Sequence, residues 1–316
     1  MAEIIFSETE AQLLKGKVVV ITGGAQGIGA ATVTLLHALG AHVFFGDWDK
    51  THGQKLEADL QARDSKTGGS AHFSQLDVRN YHSQLALFDA AYQKHKQIDV
   101  AISCAAVKEP AGWFEPEVLD LETVRKEPTP INDSLEINLT SVLGFSRIAL
   151  AYMKASSSNT TANNDTTSFS KSIVLVSSIA GITEAPGLFA YSAAKHGVIG
   201  LMRALRPWAP VKYSVRVNAI CPWATDTQLL SGVKDRWLVE NMPINTPACV
   251  AKQIIQCTAS PSLNGKAVFV TGGRGFDTEE GVERTQPQWM GEENARDFEK
   301  GQRILGLGGD WTSDEK

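Results

Sequence analysis

The sequence predicts an α/β fold in which helices cover both faces of a parallel, doubly wound sheet. Short apolar segments alternate with helix-like segments four times in the first part of the chain, with short connections between them. A glycine-rich turn at residues 23–29 joins the first apolar segment to the first long helix. The chain has 316 residues, which is enough for one large domain or two small ones.

The composition argues against several classes of protein. The net charge is −5, so no basic surplus is available to bind nucleic acid. The acidic first residues lack the basic and apolar parts of a secretory signal, and no run reaches the ~18 apolar residues that a membrane span needs. The four cysteines lack the close spacing of a metal site. We therefore expect a cytoplasmic protein without a resident metal that acts on a small molecule.

The first predicted strand, residues 17–22, leads directly into the glycine-rich turn and then into a helix rich in alanine and leucine. Glycines permit the tight turn and let a phosphate approach the backbone closely, and the helix start offers free N–H groups to a pyrophosphate. This arrangement predicts a dinucleotide site. Its candidate residues are Gly23, Gln26, Gly27, Ile28 and Gly29.

The second predicted strand, residues 41–46, ends at Asp47, about twenty residues after the glycine turn. A carboxylate at that position accepts hydrogen bonds from the adenosine ribose and repels a 2′-phosphate, which favours NAD over NADP. The alternative is that Asp47 only ends the strand. The next residue, Trp48, flanks the adenine or covers a surface, and the sequence does not decide between these interpretations.

Two more strands are predicted at residues 71–76 and 98–102. A carboxylate directly after the third strand can meet an adenine amino group. The fourth strand runs into a short segment of small residues, which suits close contact with a bound nucleotide. The candidate cofactor contacts after these two strands are Asp77, Val78, Cys104 and Ala105.

The middle of the chain is less regular. Residues 107–130 carry four prolines and predict an irregular excursion over the surface. Residues 131–150 regain helical periodicity and contain Asn138, a poor residue for a helix interior that is either tolerated or functional. Residues 155–170 are rich in Ser, Thr and Asn and predict a flexible loop.

The strongest chemical signal lies in residues 173–195. An apolar strand ends at Ser177 and Ser178, and Tyr191 and Lys195 follow on one face of an alanine-rich helix. An ammonium about 4 Å from a phenolate contributes roughly 4 kcal/mol at an effective dielectric of about 20, which would lower the tyrosine pKa from ~10 to near ~7. A serine hydroxyl at the strand end would hold the substrate oxygen. Taken alone, the Tyr–Lys pair also fits a solvated helix face.

The helix that carries Lys195 is expected to continue to about Ala204 and to end before Pro207 and Pro210. Residues 214–220 alternate polar and apolar and predict another strand. Ligands bind at the carboxyl ends of strands in open α/β sheets, so the residues after it are candidates for cofactor contact. They are Pro222, Trp223, Thr225 and Thr227.

Three segments complete the chain. Residues 228–246 predict either a lid over a substrate or a plain surface helix. Residues 266–271 predict a last strand. Residues 276–316 form an extension that we expect to pack on the domain of residues 1–275 or on a neighbouring subunit, since its two tryptophans argue against disorder.

With these residues assembled, the chain resembles the NAD(P)-dependent short-chain dehydrogenase/reductase family over residues 15–273. The motifs that carry the resemblance are TGGAQGIG at residues 22–29, Asp77 with Val78, Asn138, Ser178, and YSAAK from Tyr191 to Lys195. It implies a single Rossmann-type domain with a seven-stranded parallel sheet, helices on both faces, and assembly as a homodimer or homotetramer. The excursion, the Asn-rich loop and the long extension are similar to those of fungal secondary-metabolism members.

The resemblance also implies a catalytic tetrad. Tyr191 would be the general acid/base, and Ser178, thirteen residues before it, would orient the substrate oxygen. Lys195 would lower the tyrosine pKa and bind the nicotinamide ribose. Asn138 would hold a water that relays protons, and Thr227 is similar to the residue that contacts the nicotinamide carboxamide.

Two positions depart from the family pattern. The family usually has Asn-Asn-Ala-Gly after the fourth strand, where residues 103–106 read SCAA, so Ala106 adds a methyl near the cofactor and sheet-bracing amide bonds are lost. The usual Pro-Gly is Pro222-Trp223 in this chain. The indole of Trp223 either shapes the substrate pocket or obstructs it, and we expect the former.

The expected activity is NAD-dependent interconversion of a secondary alcohol and a ketone by hydride transfer, on an apolar substrate such as a cyclic secondary metabolite. One alternative keeps the same site but couples reduction to dehydration, isomerisation or cyclisation. Another is a catalytically inactive nucleotide-binding module. A methyltransferase with a similar glycine turn is a further alternative, in which the Tyr–Lys pair has no role.

Overall fold

The structure, a computed structural model, describes residues 2–63, 68–126, 131–157 and 171–306. These residues form one nine-stranded sheet. The strands in chain order are β1 (Glu3–Ile4), β2 (Val18–Thr22), β3 (His42–Asp47), β4 (Ser70–Gln75), β5 (Val100–Ser103), β6 (Lys171–Val176), β7 (Val215–Pro222), β8 (Ala267–Thr271) and β9 (Arg274–Asp277).

The strand order across the sheet is β1-β9-β8-β7-β6-β5-β2-β3-β4. Strands β2 to β8 are parallel, which confirms the predicted doubly wound sheet. Two strands were not expected: β9 turns back antiparallel to β8, and the short β1 pairs antiparallel with β9. The predicted seven-stranded sheet is therefore extended at one edge. The two-residue turn between β8 and β9 is built on glycines at 272 and 273, both with positive φ.

Helices cover both faces of this sheet. In chain order they are α1 (Glu8–Ala11), α2 (Gly27–Ala38), α3 (Lys50–Gln61), α4 (Tyr81–His95), α5 (Leu121–Val124), α6 (Asn132–Leu135), α7 (Ser141–Ser157), α8 (Phe189–Tyr213), α9 (Lys234–Val239), α10 (Pro247–Ala259), α11 (Glu279–Met290) and α12 (Glu292–Leu305). None of the described helices is long and apolar enough to cross a bilayer.

The two faces have separate hydrophobic cores because successive strand residues point to opposite sides. Val18 and Val20 of β2 belong to the core beneath α4, α7 and α8. Val19 and Ile21 of the same strand belong to the core beneath α2, α3 and α10. A strand buried on both faces reads as a continuous apolar run, which is why the strands were recognisable in the sequence.

Helix α8 does not end near Ala204, as the prolines suggested, but continues through Pro207 and Pro210 to Tyr213. Each proline removes one backbone hydrogen bond and disfavours a helix interior. Burial outweighs this cost, because Ala209 is fully buried in the core and Trp208 packs against it. Packing of the last turns therefore overrides the local preference of the sequence.

Other predicted boundaries shift by a few residues. Helix α7 continues to Ser157, and the rest of the predicted loop at residues 155–170 lies outside the described residues. Strand β7 extends beyond the predicted end at residue 220 and includes Pro222. The predicted domain boundary at residue 275 falls inside strand β9.

The extension after β9 begins with a buried carboxylate. Glu279, at the start of α11, accepts hydrogen bonds from Arg203 (2.8 and 2.9 Å) and Arg206 (2.9 Å) of α8. Its side chain is only 4% exposed, while both arginines are partly solvated. These ion pairs hold the first helix of the extension to the helix that carries the Tyr–Lys pair.

Candidate active site

A cavity of about 1590 Å³ lies at the carboxyl ends of the parallel strands. This volume exceeds the upper end, about 1000 Å³, of pockets for one small ligand, so two ligands fit side by side. Asn138 is the one predicted site residue that does not line it. The predicted residues that do are Gly23, Gln26, Gly27, Ile28, Gly29, Asp47, Trp48, Asp77, Val78, Cys104, Ala105, Ser178, Tyr191, Lys195, Pro222, Trp223, Thr225 and Thr227.

Two glycines of the turn leave no room for a side chain. Gly23 has a φ of 70°, and a Cβ there would lie 2.5 Å from the backbone nitrogen of Ala105. A Cβ on Gly29 would overlap the carbonyl oxygen of Gly23. Helix α2 starts at Gly27, and Gln26 before it makes no side-chain cap. The first N–H groups of α2 are thus left for an anion, which fits the pyrophosphate of a dinucleotide.

Gly27 also marks where two walls of the cavity meet. A Cβ on Gly27 would lie 3.1 Å from the Cγ2 atom of Thr227, which belongs to the segment after β7. Thr225 in the same segment is buried, and its hydroxyl donates to the carbonyl of Trp223 at 2.9 Å. The loop after β7 is therefore folded against itself and against the glycine turn.

Asp47 is buried at the end of β3, and its carboxylate is fixed by two backbone amides. Oδ2 accepts from the Ala25 N–H and Oδ1 from the Asp49 N–H, each at 3.0 Å. The carboxylate thus lines the cavity beside the glycine turn, as a ribose acceptor requires. Trp48 next to it is 75% exposed and stands at the cavity edge.

Asp77 differs from expectation because its carboxylate is already engaged. Arg79 donates to it through Nε at 3.0 and 3.1 Å and through its terminal nitrogen at 2.6 Å. These bonds lower the pKa of Asp77. Arg79 also pairs with Asp133 at 2.9 Å and lines the cavity. An adenine amino group would therefore meet an Asp–Arg pair rather than a free carboxylate. No sequence pattern had indicated that Arg79 is the partner of Asp77.

Lys195 is almost completely buried beneath Tyr191. Its Nζ atom lies 5.5 Å from the centroid of the Tyr191 ring and donates to the carbonyl oxygen of Val176 at 3.0 Å. Burial lowers the pKa of Lys195 to about 8. The ammonium thus has one backbone partner and a remaining face toward the cavity, which suits a ribose hydroxyl.

Tyr191 does not have the lowered pKa that the spacing of the pair suggested. Burial raises the pKa of Tyr191, and a hydrogen bond with Ser178 acts in the opposite direction. The physical reason is that the loss of hydration of the buried phenolate outweighs the effect of the hydrogen bond with Ser178. The Ser178–Tyr191 contact itself agrees with the predicted pairing.

The two adjacent serines have different tasks. Ser178 begins a helical turn at Ile179–Gly181, and its Oγ accepts from the Ala180 N–H at 3.2 Å while facing the cavity. Ser177 is buried, and its Oγ donates to the carbonyl of Lys195 at 2.9 Å. Ser177 therefore braces α8, and Ser178 is the serine available to a substrate.

Asn138 lies in a π-helical turn, Glu136–Thr140, that joins α6 to α7. Such single turns are frequent at functional sites. Its side chain is fully buried: Oδ1 accepts from the Val107 N–H (3.1 Å), and Nδ2 donates to the Val107 carbonyl (3.1 Å) and to Ser134 (3.2 Å). The amide therefore braces the segment after β5, and the role of holding a water stays a prediction for Asn138.

Residues 103–106, with the sequence SCAA, lead out of β5 beside the glycine turn. Cys104 donates its backbone N–H to the Thr22 carbonyl at 3.1 Å, and burial raises the pKa of its thiol to about 12. The backbone of Ala105 lies directly against Gly23. The small side chains thus let β5 continue close beside the glycine turn.

Trp223 is part of an aromatic wall that it forms with Trp237 and Phe269. Its ring meets Trp237 edge to face at 5.1 Å and lies 6.2 Å from Phe269. Trp237 belongs to α9, within the predicted lid, and its Nε1 donates to the Pro243 carbonyl at 3.0 Å. All three rings line the cavity. The indole of Trp223 therefore shapes one side of an open cavity.

Two residues near the site were missed by sequence reasoning. Asn245 is buried and donates to the Val270 carbonyl at 2.8 Å while accepting from the Gly273 N–H at 2.9 Å. Glu109 lines the cavity and accepts from the Tyr191 N–H at 2.9 Å. Both lie in irregular segments without periodicity, so the sequence held no signal for either.

Known proteins resemble this chain over most of its length. A profile described as short chain dehydrogenase matches residues 17–236. The chain is 30% identical over 292 residues to a 5'-hydroxyaverantin dehydrogenase of Dothistroma septosporum, covering 89% of this chain and 91% of that protein. It is 28% identical over 283 residues to the 15-hydroxyprostaglandin dehydrogenase (NAD(+)) of Bos taurus, covering 83% of this chain and 94% of that protein.

A solved structure, a short-chain type dehydrogenase/reductase from Mycobacterium ulcerans, shares the fold. Its TM-score is 0.67 at 22% identity, covering 89% of this chain and 98% of that one. The predicted resemblance, including its fungal secondary-metabolism members, is confirmed. The chain belongs to the short-chain dehydrogenase/reductase family, whose members bind a nicotinamide cofactor and act on hydroxyl groups.

Proposed function

We propose that this protein is an NAD-dependent dehydrogenase/reductase that interconverts a secondary alcohol and a ketone on an apolar, cyclic substrate. The observation that carries the proposal is that Ser178, Tyr191 and Lys195 line the same cavity as the glycine turn and Asp47. A general acid/base and a dinucleotide cradle in one cavity match hydride transfer coupled to proton transfer.

The chain's own residues handle the proton and the substrate oxygen. When bound, the nicotinamide ring supplies the hydride acceptor for alcohol oxidation or the donor for ketone reduction. Ser178 donates to the substrate oxygen and fixes its position, and the Tyr191 hydroxyl takes or gives the proton at that oxygen. Lys195 holds the nicotinamide ribose and adds positive charge beneath the phenol ring.

The preference for NAD rests on Asp47. Its fixed carboxylate accepts from ribose hydroxyls and repels a 2′-phosphate. The 15-hydroxyprostaglandin dehydrogenase among the relatives is named for NAD(+), which supports the same choice. An apolar substrate is favoured by the aromatic wall of Trp223, Trp237 and Phe269. We further propose a cytoplasmic homodimer or homotetramer.

The first experiment is calorimetric titration of the full chain with NADH and, separately, with NADPH. We expect clear binding of NADH and weaker binding of NADPH. Failure to bind either would favour a closed, inactive site, and equal affinity would remove the NAD assignment.

The second experiment follows deuterium from labelled NADH into the product of a panel of apolar ketones. Transfer to the carbinol carbon supports the proposal. A Tyr191→Phe variant is the matched control, since it keeps the ring and the fold and removes the proton donor. Deuterium in a dehydrated or cyclised product would instead assign reduction-coupled dehydration or cyclisation to the same residues.

A further inference from the structure

Glu109 joins the irregular segment after β5 to the helix that carries Tyr191. Its Oε2 atom accepts a hydrogen bond from the backbone N–H of Tyr191 at 2.9 Å, and the two residues are 82 positions apart in sequence. Glu109 is half-buried and lines the cavity. Ser178 and Tyr191 line the same cavity.

The contact supplies a missing helix cap. Helix α8 begins at Phe189 after Leu188, whose apolar side chain makes no cap hydrogen bond. The N–H of Tyr191, in the first turn, has no helical carbonyl to bond. Glu109 accepts that hydrogen bond, and a carboxylate near a helix N-terminus is favoured by the helix dipole. The carboxylate is therefore held in place beside Tyr191.

Only one oxygen of this carboxylate is used. Among the described residues Oε1 of Glu109 has no hydrogen-bond partner. Another carboxylate, Glu184, also lines the cavity. The neighbouring cation, Lys108, is bonded to Ser231 at 3.3 Å on the lid segment. A held carboxylate with a free oxygen is an acceptor for a hydroxyl and repels an anion.

The aromatic wall supplies the other half of the recognition. Trp223, Trp237 and Phe269 are half-buried, with surface left toward the cavity. Indole faces and edges prefer flat aromatic partners in edge-to-face or offset contact. The substrate side of the cavity thus combines a flat apolar wall with one anchored acceptor.

We propose that Glu109 determines substrate specificity: its free carboxylate oxygen accepts a hydrogen bond from a hydroxyl of an uncharged, flat aromatic substrate held against the aromatic wall, and its charge excludes substrates that carry a carboxylate. This inference rests on the proposed function, since it names the substrate class for the same site. Glu109 is thereby a specificity residue, and the proton chemistry stays with Tyr191.

The test is calorimetric binding of three kinds of ketone to the full chain, with and without NADH. They are acetylnaphthalene, the positional isomers of its hydroxy derivative, and the positional isomers of its carboxylate derivative. The variant is Glu109→Gln, which keeps an acceptor for the Tyr191 N–H and removes the charge. The control is Glu117→Gln, which removes the same charge from an exposed position of the same segment, outside the cavity.

For the wild type we expect the best hydroxy isomer to bind about tenfold more tightly than acetylnaphthalene, and the carboxylates at least about tenfold more weakly. In Glu109→Gln, the preference for the hydroxy ketone over acetylnaphthalene and the discrimination against the carboxylates should each fall by about tenfold or to unity. In Glu117→Gln they should stay at the wild-type values. A thermal unfolding curve of Glu109→Gln like that of the wild type confirms that the helix cap is kept.

Three results overturn the inference: unchanged ratios in Glu109→Gln, carboxylates that bind the wild type as well as neutral ketones do, or no binding of any ketone. Because binding does not require turnover, this test and the test of the proposed function can fail independently. Ketones that bind with the expected ratios but receive no deuterium from labelled NADH would contradict hydride transfer and leave the specificity of Glu109 in place.

Discussion

The ammonium of Lys195 donates its hydrogen bond to the backbone carbonyl of Val176 at 3.0 Å, at the end of the central strand β6. Lys195 is almost fully buried and has no carboxylate partner among the described residues. Burial lowers its pKa to about 8 from 10.5. The molecule thus keeps a costly cation in place for chemistry, and removing it should make the free protein more stable.

Replacing Lys195 by Met should raise the free energy of unfolding by about 2 kcal/mol at pH 7, since the pKa difference outweighs the lost hydrogen bond. The pKa of Lys195 is lower in the folded state than in the unfolded state, so the buried ammonium destabilises the fold. This destabilisation is complete below pH 8, declines as the pH rises toward 10.5, and vanishes above it. The stability gained in Lys195→Met should decline over the same pH range, and above pH 10.5 only the loss of the hydrogen bond to Val176 should remain. Turnover should fall by about 10²–10⁴-fold.

Urea unfolding at several pH values measures this effect. Lys212→Met is the control, because Lys212 is exposed on the same helix and its removal should change stability by less than about 0.5 kcal/mol. Lower stability of Lys195→Met at pH 7 would contradict the cost assigned to the buried ammonium.

Replacing Asp47 by Asn should narrow the preference for NADH over NADPH by about tenfold or more. The amide retains an acceptor for the Ala25 N–H, so the glycine turn keeps its support, while the charge that repels a 2′-phosphate is lost. Calorimetric dissociation constants for both cofactors give the ratio. Asp49→Asn, next to the same turn but bonded to Gln26 and His52, should leave it unchanged. An unaltered ratio in Asp47→Asn would assign cofactor choice to other residues.

Replacing Asn245 by Ala should lower the free energy of unfolding by about 2–3 kcal/mol and also weaken cofactor and substrate binding. Its side chain holds the segment before α10 to β8 and to the β8–β9 turn, through the Val270 carbonyl and the Gly273 N–H. Asn264 is the matched control: it bonds to Val217 and Arg206 away from the cavity. Urea unfolding should show that Asn264→Ala loses about as much stability as Asn245→Ala. Its KM values for cofactor and substrate should stay at those of the wild type. Equal KM changes in both variants would indicate a general loss of rigidity.

Replacing Glu279 by Gln should lower the free energy of unfolding by about 2 kcal/mol, because two arginines of α8 lose a buried partner. The first helix of the extension should then detach more readily, which limited proteolysis would show as faster cleavage after β9. Glu283→Gln breaks only the exposed pair with Arg206 and should cost less than about 1 kcal/mol. Equal proteolysis rates for the two variants would exclude Glu279 as the anchor.

The sequence was most informative where local patterns determine structure. Strands buried on both faces are continuous apolar runs, and the glycine turn has one geometric solution, so the sheet and the positions of Gly23 and Asp47 were predictable. The spacing of Tyr191 and Lys195 on one helix turn was equally local. Their proximity to Ser178 needed the family pattern as well.

What was missed depends on contacts between distant parts of the chain. Whether Pro207 ends a helix is decided by the burial of Ala209, which local preference does not contain. The pKa of Tyr191 depends on its burial, and the pairing of Asp77 with Arg79 depends on side-chain orientation. Asn245 and Glu109 act through backbone groups, which leave no pattern in the sequence.

The antiparallel strands β9 and β1 also affect how the chain is made. Strand β8, with the sequence AVFVT, is apolar, and among the described residues β9 is the strand that pairs with its outer edge. Until residue 277 has left the ribosome, β9 cannot form and this edge of β8 stays open. An open apolar edge strand pairs readily with another copy of the chain. We therefore predict that β9 limits aggregation of the newly made protein, and that truncation before residue 274 yields an insoluble product.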